Sequence, residues 1–294
     1  MSLVYIQLQH GLPNCFWSSL KKARELWPGD IYLVAPQRES AYTTLLKKYN
    51  VKFVAEESFE DDLIIEYKKH TFLDRAGWDG FWDNTCKRFI YLYFLQKEYN
   101  IPEMIHLETD VVPYMDVSIM LNTFRKHYKN KIVFSLHAPY QLSCCFMYCN
   151  NIDLFGLFCN EIIQYFKKGE EHFKKIYPTQ NIINETNFAY TFWYDNKENV
   201  GLFPTMPSDK PEIGFLIDPT AWGMWLDGLY WLLGEQYATD KHYVGAQIVN
   251  GTYDIHFSYK NMRIDQPFIY NKKTGQSYPL ATLHFNSKRP EKWI

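Results

Sequence analysis

Short apolar runs alternate with helical patterns along the first hundred residues of the chain. The runs of strand type cover residues 4–8, 31–34 and 51–54. Apolar residues at helical spacing cover residues 14–27, 39–49 and 83–99. Strands and helices that alternate at this length predict a parallel sheet covered by helices on both faces. Ligands bind such a sheet beyond the carboxyl ends of its strands.

The second half of the chain has a less regular pattern. Strands are predicted at residues 132–136, 144–149, 200–203, 252–259 and 263–270. Helices are predicted at residues 153–168 and 185–194. Because no repeat, low-complexity tract or flexible linker interrupts the pattern, residues 1–294 are predicted to form one domain with a smaller, irregular subregion.

The composition narrows the class of protein. A content of 47% apolar and 18% aromatic residues predicts a well-filled core. The balance of 31 Lys and Arg against 33 Asp and Glu offers no basic face, so nucleic acid is not expected as a partner. No apolar run approaches the ~20 residues of a transmembrane helix. The six cysteines lack zinc-site spacing and no signal peptide is visible, which predicts a cytoplasmic location.

Two acids follow an apolar strand near the end of the first half. The strand at residues 105–107 leads into Glu108 and Asp110, which project from the same face because the side-chain period of a strand is two. A buried strand cannot leave two carboxylates uncompensated. The simplest compensation is a hard divalent cation that also binds a phosphate-bearing ligand. A solvated pair of acids at a strand end is the alternative.

This acid-x-acid pattern resembles the central motif of GT-A glycosyltransferases, in which a metal neutralises the diphosphate of a nucleotide-sugar donor. The C-terminal residues 283–293, LHFNSKRPEKW, resemble the glycogenin-like pattern H-F-x-G-x-x-K-P-W, although Ser287 stands where the Gly would be. The resemblance implies an α/β, Rossmann-like GT-A fold with a mixed, mostly parallel sheet. It implies that Asp110 and His284 bind Mn²⁺ or Mg²⁺, that Glu108 lies one shell out on the donor side, and that Lys288 contacts the diphosphate.

The same resemblance assigns roles on two helices. Arg88 lies one turn into the helix that precedes the acid pair and is expected to contact the donor diphosphate; a solvated Lys-Arg pair is the alternative. Glu185 starts a later helix, where GT-A enzymes often place the general base of an inverting transfer. An acid that merely stabilises the helix start is the alternative there.

A tryptophan-rich segment, DPTAWGMWLDG at residues 218–228, resembles the F-D-x-x-A-x-G-Q-Y-x-G-G segment of bacterial and viral polysaccharide glycosyltransferase-like proteins. Met224 replaces the Gln of that pattern. Trp222 and Trp225 are expected to bind the acceptor sugar, because apolar sugar faces pack on aromatic rings. Trp225 and Trp231 could instead belong to the core. Asp218 is the second candidate for the catalytic base.

Together these motifs predict a hexosyl- or pentosyltransferase that uses a nucleoside diphosphate donor, with UDP favoured, and a glycan or other hydroxyl acceptor. Residues 1–115 would form the nucleotide-binding half, and residues 116–294 the acceptor-side half with the C-terminal metal and phosphate segment. Two alternatives remain open. A sugar nucleotidyltransferase usually has a Gly-rich loop after its first strand, and here that loop offers one glycine, Gly11. The other is a catalytically inactive nucleotide- or carbohydrate-binding module.

Overall fold

The computed structural model describes residues 1–9, 11–73, 80–178, 183–209, 211–226, 243–285 and 289–290. The strands of the first half are β1 (Ser2–Ile6), β2 (Asp30–Ala35), β3 (Val51–Ala55), β4 (Met104–Leu107), β5 (Val111–Pro113), β6 (Ile132–Ala138) and β7 (Gln141–Cys149). The helices that accompany them are α1 (Asn14–Leu26), α2 (Thr43–Lys48), α3 (Asp62–His70), α4 (Phe81–Glu98) and α5 (Val117–His127).

Among the described residues, the second half contributes five helices of varied length and five strands. Its helices are α6 (Ile152–Lys168), α7 (Glu170–Ile176), α8 (Glu185–Asp195), α9 (Trp222–Leu226) and α10 (Tyr243–Val249). Its strands are β8 (Val200–Phe203), β9 (Tyr253–Lys260), β10 (Arg263–Asn271), β11 (Ser277–Pro279) and β12 (Thr282–His284). None of the helices within the described ranges is both long and apolar enough to cross a bilayer.

A seven-stranded sheet forms the centre of the molecule, in the order β3-β2-β1-β4-β7-β6-β8. Strands β3, β2, β1 and β4 pair in parallel, β7 runs antiparallel to both of its neighbours, and β6 pairs in parallel with β8. The predicted mixed, mostly parallel sheet is therefore confirmed. Because β1, β2, β4 and β6 point the same way, their carboxyl ends meet at one edge, where ligands bind in folds of this type.

Helices cover both faces of the sheet, as buried strands require. On one face α3, α4, α6 and α8 contribute a large aromatic core that includes Phe89, Phe158 and Phe188. On the other face α1 and α5 contribute Phe16 and Phe124. A third, smaller core lies among α9, α10 and strands β9 to β12. This third core forms the smaller subregion that the irregular pattern of the second half predicts.

Some local predictions differ from the structure. The helical pattern over residues 39–49 is a 3₁₀ turn, Gln37–Tyr42, followed by the short α2. The N–H of Thr43 donates to the carbonyl of Ser40, three residues back, so the first turns are wound too tightly for an α-helix. Helix α5 has no counterpart among the predicted elements, although Asp116 caps it by accepting from the N–H of Ser118.

Candidate functional site

The acid pair lies at the carboxyl edge of the sheet, directly after β4. The N–H of Glu108 donates to the carbonyl of Cys145 at 2.9 Å, which extends the β4–β7 pairing by one residue. The N–H of Val111 then donates to the carbonyl of Glu108 at 3.0 Å, so the chain turns sharply before β5. This turn leaves Glu108 partly exposed and Asp110 1% exposed.

The C-terminal strand brings a histidine to the same point. Strand β12 pairs antiparallel with β5, with His284 opposite Val111, and the N–H of Phe285 donates to the carbonyl of Asp110 at 3.0 Å. The Nε2 atom of His284 lies 2.9 Å from Oδ2 of Asp110 and 3.5 Å from Oε2 of Glu108. The structure therefore brings together the two residues expected to bind the metal.

The donor set fits a divalent cation. Within the described residues, Glu108, Asp110 and His284 each offer one ligand atom, and these atoms all lie within 4.8 Å of one another. A donor set of two carboxylates and one imidazole suits Mn²⁺ better than Mg²⁺, because Mg²⁺ prefers sites made only of oxygen atoms. Glu108, expected one shell out, is close enough to contribute an oxygen of its own.

The electrostatics of this cluster favour a positive charge. Burial disfavours the protonated ring of His284, but the Asp110 carboxylate outweighs burial and raises the pKa of His284 well above its usual range. Burial would likewise raise the pKa of Glu108, yet Arg88 and His284 together hold it below 4.5. The carboxylate of Glu108 therefore stays charged, and its field attracts a cation.

Arg88 and Glu185 extend the cluster away from the histidine. Arg88, on α4, pairs with Oε1 of Glu108, and its Nη2 atom lies 3.7 Å from Oε1 of Glu185. The hydroxyl of Thr85, one turn earlier, donates to Oε2 of Glu185 at 2.8 Å. Burial raises the pKa of Glu185 above 4.5, and Arg88 opposes this shift. One guanidinium thus joins a partly exposed and a buried glutamate from different parts of the chain.

Arg88 was expected either to contact the donor diphosphate or to belong to a solvated Lys-Arg pair, and its position excludes the second interpretation. Its side chain is 7% exposed, so the solvated Lys-Arg face is wrong. Because Glu108 and Glu185 already occupy its guanidinium, the contact with a donor diphosphate stays a prediction. Lys288, the other expected phosphate contact, lies outside the described residues.

The structure overturns the catalytic role suggested for Asp218. This carboxylate is 1% exposed. Oδ1 accepts from the backbone N–H groups of Ala221 and Trp222, and Oδ2 accepts from those of Gly223 and His284. With four backbone donors on its two oxygens, Asp218 ties the start of α9 to β12 and is not a base.

The acceptor role suggested for Trp222 is wrong as well. Its side chain is 1% exposed, packs edge-on against Tyr253 and donates from Nε1 to the carbonyl of Thr205 at 3.3 Å. A ring enclosed in this way belongs to the core and cannot stack on a sugar. Trp225 is half-buried at the margin of the same core, and its acceptor contact stays a prediction.

The residues beside the cluster that sequence reasoning missed are hydroxyl-bearing. Thr220 places Oγ1 3.1 Å from Nδ1 of His284, and Ser143 on β7 places Oγ 2.8 Å from Thr220 Oγ1. Thr85 supports Glu185. Thr220 lies inside the segment that the resemblance singled out, but a threonine carries no pattern that would indicate this contact.

Known proteins of similar structure share little sequence with this chain. No protein-family model matches the chain, and no curated protein matches its sequence. The structure of mouse xyloside xylosyltransferase 1, apo form, is 12% identical and covers 69% of this chain and 86% of its own, with a TM-score of 0.50. The glycosyltransferase GlyE of Streptococcus pneumoniae TIGR4 is 8% identical and covers 82% of this chain and 53% of its own, with a TM-score of 0.43.

At such identities a likeness shows the fold alone, and the second likeness, with a TM-score under 0.5, adds no argument. The chain has the fold of the mouse xylosyltransferase, which is the GT-A fold that the motifs predict. The activity must be argued from the site.

Proposed function

We propose that the chain is a metal-dependent glycosyltransferase that moves a sugar from a nucleoside diphosphate, UDP before others, to a glycan or another hydroxyl acceptor. The observation that supports this most is the convergence of Asp110 and His284, 174 residues apart in the sequence, at the carboxyl edge of the sheet. Glu108 completes a set of three ligand atoms at this point. Such a set is suited to Mn²⁺ or Mg²⁺ and sits where this type of fold binds its ligands.

The residues divide the work by position. Asp110 and His284 would hold the cation, and Glu108, fixed in place by Arg88, would add an oxygen or bind through water. The cation, when bound, offsets the negative charge that develops on the leaving diphosphate. Burial of Asp110 and His284 excludes water from the inner side of this site, which strengthens each charged contact.

Glu185 is proposed as the general base of an inverting transfer. Its carboxylate belongs to the same polar cluster, through Arg88, and is 5% exposed. A base works best when its pKa lies near the working pH, and burial moves the pKa of Glu185 upward in that direction. Its role would be to accept the proton of the acceptor hydroxyl as that oxygen attacks the anomeric carbon.

The decisive experiment follows the products. Purified protein with Mn²⁺ is incubated with hexosyl and pentosyl UDP-sugars, with and without oligosaccharide acceptors, and released UDP is measured. We expect release that depends on the metal and is lost in Asp110→Asn. Asp116→Asn is the matched control, because Asp116 is an exposed helix cap that asparagine serves equally well.

Each alternative has its own result. Pyrophosphate released from a nucleoside triphosphate and a sugar phosphate would show a nucleotidyltransferase. Saturable binding of UDP-sugar without any release would show a binding module. Release of UDP that persists in Asp110→Asn would contradict the proposed metal site.

The base is tested separately, with Glu185→Gln. This change keeps the shape of the side chain and removes its basicity, so transfer should fall by roughly 10²–10⁴-fold while the donor still binds. The control is Glu171→Gln, an exposed acid at the start of α7. Near-normal transfer by Glu185→Gln, or a product that keeps the anomeric configuration of the donor, would show that Glu185 is not the base.

A further inference from the structure

The segment 218–223, DPTAWG, wraps around His284 and contacts it at three places. Asp218 Oδ2 accepts from the backbone N–H of His284 at 2.9 Å. At Gly223, an added Cβ would lie 2.1 Å from the carbonyl oxygen of His284, so only glycine allows α9 to approach β12 this closely. Thr220 contacts the ring, with Oγ1 3.1 Å from Nδ1. Backbone and ring of His284 are therefore both held by one short segment.

Thr220 adopts a backbone conformation that its residue type disfavours. Its φ of 78° lies in the left-handed region, where a β-branched side chain is a genuine outlier at a cost in free energy. Glycine would adopt the same φ without this cost. A strained residue that persists beside a candidate site indicates that its side chain has a role there.

The side chain of Thr220 offers a hydroxyl in a defined setting. Ser143 Oγ lies 2.8 Å from Thr220 Oγ1, and Cys145 Sγ lies 3.6 Å from it. A hydroxyl has a single hydrogen. When Thr220 donates that hydrogen to Ser143 or Cys145, a lone pair of its oxygen is left to accept from Nδ1–H of His284.

We propose that Thr220 is a positioning residue: its hydroxyl fixes the ring orientation and the tautomer of His284, so that the lone pair of Nε2 faces the cation site beside Asp110. This inference rests on the metal site of the proposed function. An imidazole that ligates through Nε2 must carry its hydrogen on Nδ1, and an acceptor at Nδ1 selects that tautomer. Without the acceptor, the ring can rotate or present N–H to the cation.

The test measures Mn²⁺ affinity of the donor-free protein, by the electron paramagnetic resonance of free Mn²⁺. Thr220→Val keeps the shape and loses the hydroxyl, and it should bind Mn²⁺ about 10–100-fold more weakly. Thr220→Ser keeps the hydroxyl and should bind as the original protein does. Thr123→Val, at a half-buried threonine of α5 outside the cluster, is the control and should change nothing.

Thr220→Gly separates positioning from mere structural support. Glycine relieves the strained φ, so the melting temperature should stay the same or rise, while Mn²⁺ affinity should fall as in Thr220→Val. Should Thr220→Val fail to fold, this pair of measurements on Thr220→Gly still decides. Unchanged affinity in either variant would overturn the inference while the proposed function stands. A parent protein that binds no Mn²⁺ would overturn the proposed metal site and the inference together.

Discussion

Glu108 lies between two groups of polar side chains, and the two groups compensate the charge of their carboxylates in different ways. On the arginine side, which consists of Thr85, Arg88 and Glu185, the guanidinium of Arg88 compensates both Glu108 and Glu185. On the histidine side, which consists of Asp110, Thr220 and His284, the carboxylate of Asp110 lies 2.9 Å from the imidazole of His284. A guanidinium is a permanent charge, whereas an imidazole can be neutral.

The difference separates support from ligand binding. A buried carboxylate whose cation is part of the chain is compensated at all times and contributes to the folded state. An imidazole beside a buried carboxylate can exchange its proton for a metal ion, because the same ring nitrogen binds either one. The arginine side should therefore determine stability, and the histidine side should determine metal affinity.

Arg88→Met tests whether the arginine side determines stability, and it should have the strongest effect. The change leaves the partly exposed Glu108 and the buried Glu185 without their shared guanidinium and should lower the free energy of unfolding by about 3–5 kcal/mol, measured by urea denaturation. The double variant Arg88→Met, Glu185→Gln is the control, because it removes one of the stranded charges and should recover part of the loss. Equal stability of Arg88→Met and the parent protein would show that the arginine side carries no structural role.

Asp110→Asn tests the opposite side. In the parent protein, Mn²⁺ at about 100 times its dissociation constant should stabilise the fold by about 2.7 kcal/mol, which raises the melting temperature by several degrees. Asp110→Asn should lose this increase while its melting temperature without metal changes little. If added Mn²⁺ still raises the melting temperature of Asp110→Asn, another group holds the cation.

The sequence alone predicted the bounds of elements whose apolar residues follow a regular period. The helix predicted at residues 153–168 is observed as Ile152–Lys168, and the strand predicted at residues 200–203 is observed as Val200–Phe203. A capped amphipathic helix and a short buried strand depend on neighbours in the chain, which a sequence displays directly. The order of Asp110, Glu185 and His284 was also visible, because it is a matter of sequence position.

What escaped prediction depends on residues distant in the chain. Asp218 was a candidate base, but one of its oxygens accepts from the backbone N–H of His284, 66 residues later in the chain. Trp222 looked like a sugar platform, but the strands of the third core enclose it. The left-handed φ of Thr220 has no signal in residue type, since threonine is rarely found there.

Thr85→Val makes a smaller change on the arginine side and tests whether that side affects stability without affecting Mn²⁺ affinity. Removing the hydroxyl leaves one oxygen of Glu185 without its 2.8 Å donor, which should cost about 1.5 kcal/mol of stability. Mn²⁺ affinity should not change, because Thr85 has no contact on the histidine side among the described residues. Thr220→Val should show the reverse pattern, with weaker Mn²⁺ binding and a small effect on stability. A loss of Mn²⁺ affinity in Thr85→Val would mean that the two sides act as one unit through Glu108.

Ser143→Ala should give the smallest effect and measures how far the histidine side extends. Ser143 contacts the Thr220 hydroxyl that lies beside His284, and the thiol of Cys145 lies 3.6 Å from that hydroxyl as a second acceptor for its hydrogen. We therefore expect Mn²⁺ affinity to fall by about threefold or less in Ser143→Ala, and further in Ser143→Ala, Cys145→Ala, since both acceptors are then removed. A loss in Ser143→Ala as large as that in Thr220→Val would mean that Cys145 cannot substitute and that the orientation of the Thr220 hydroxyl depends on Ser143 alone.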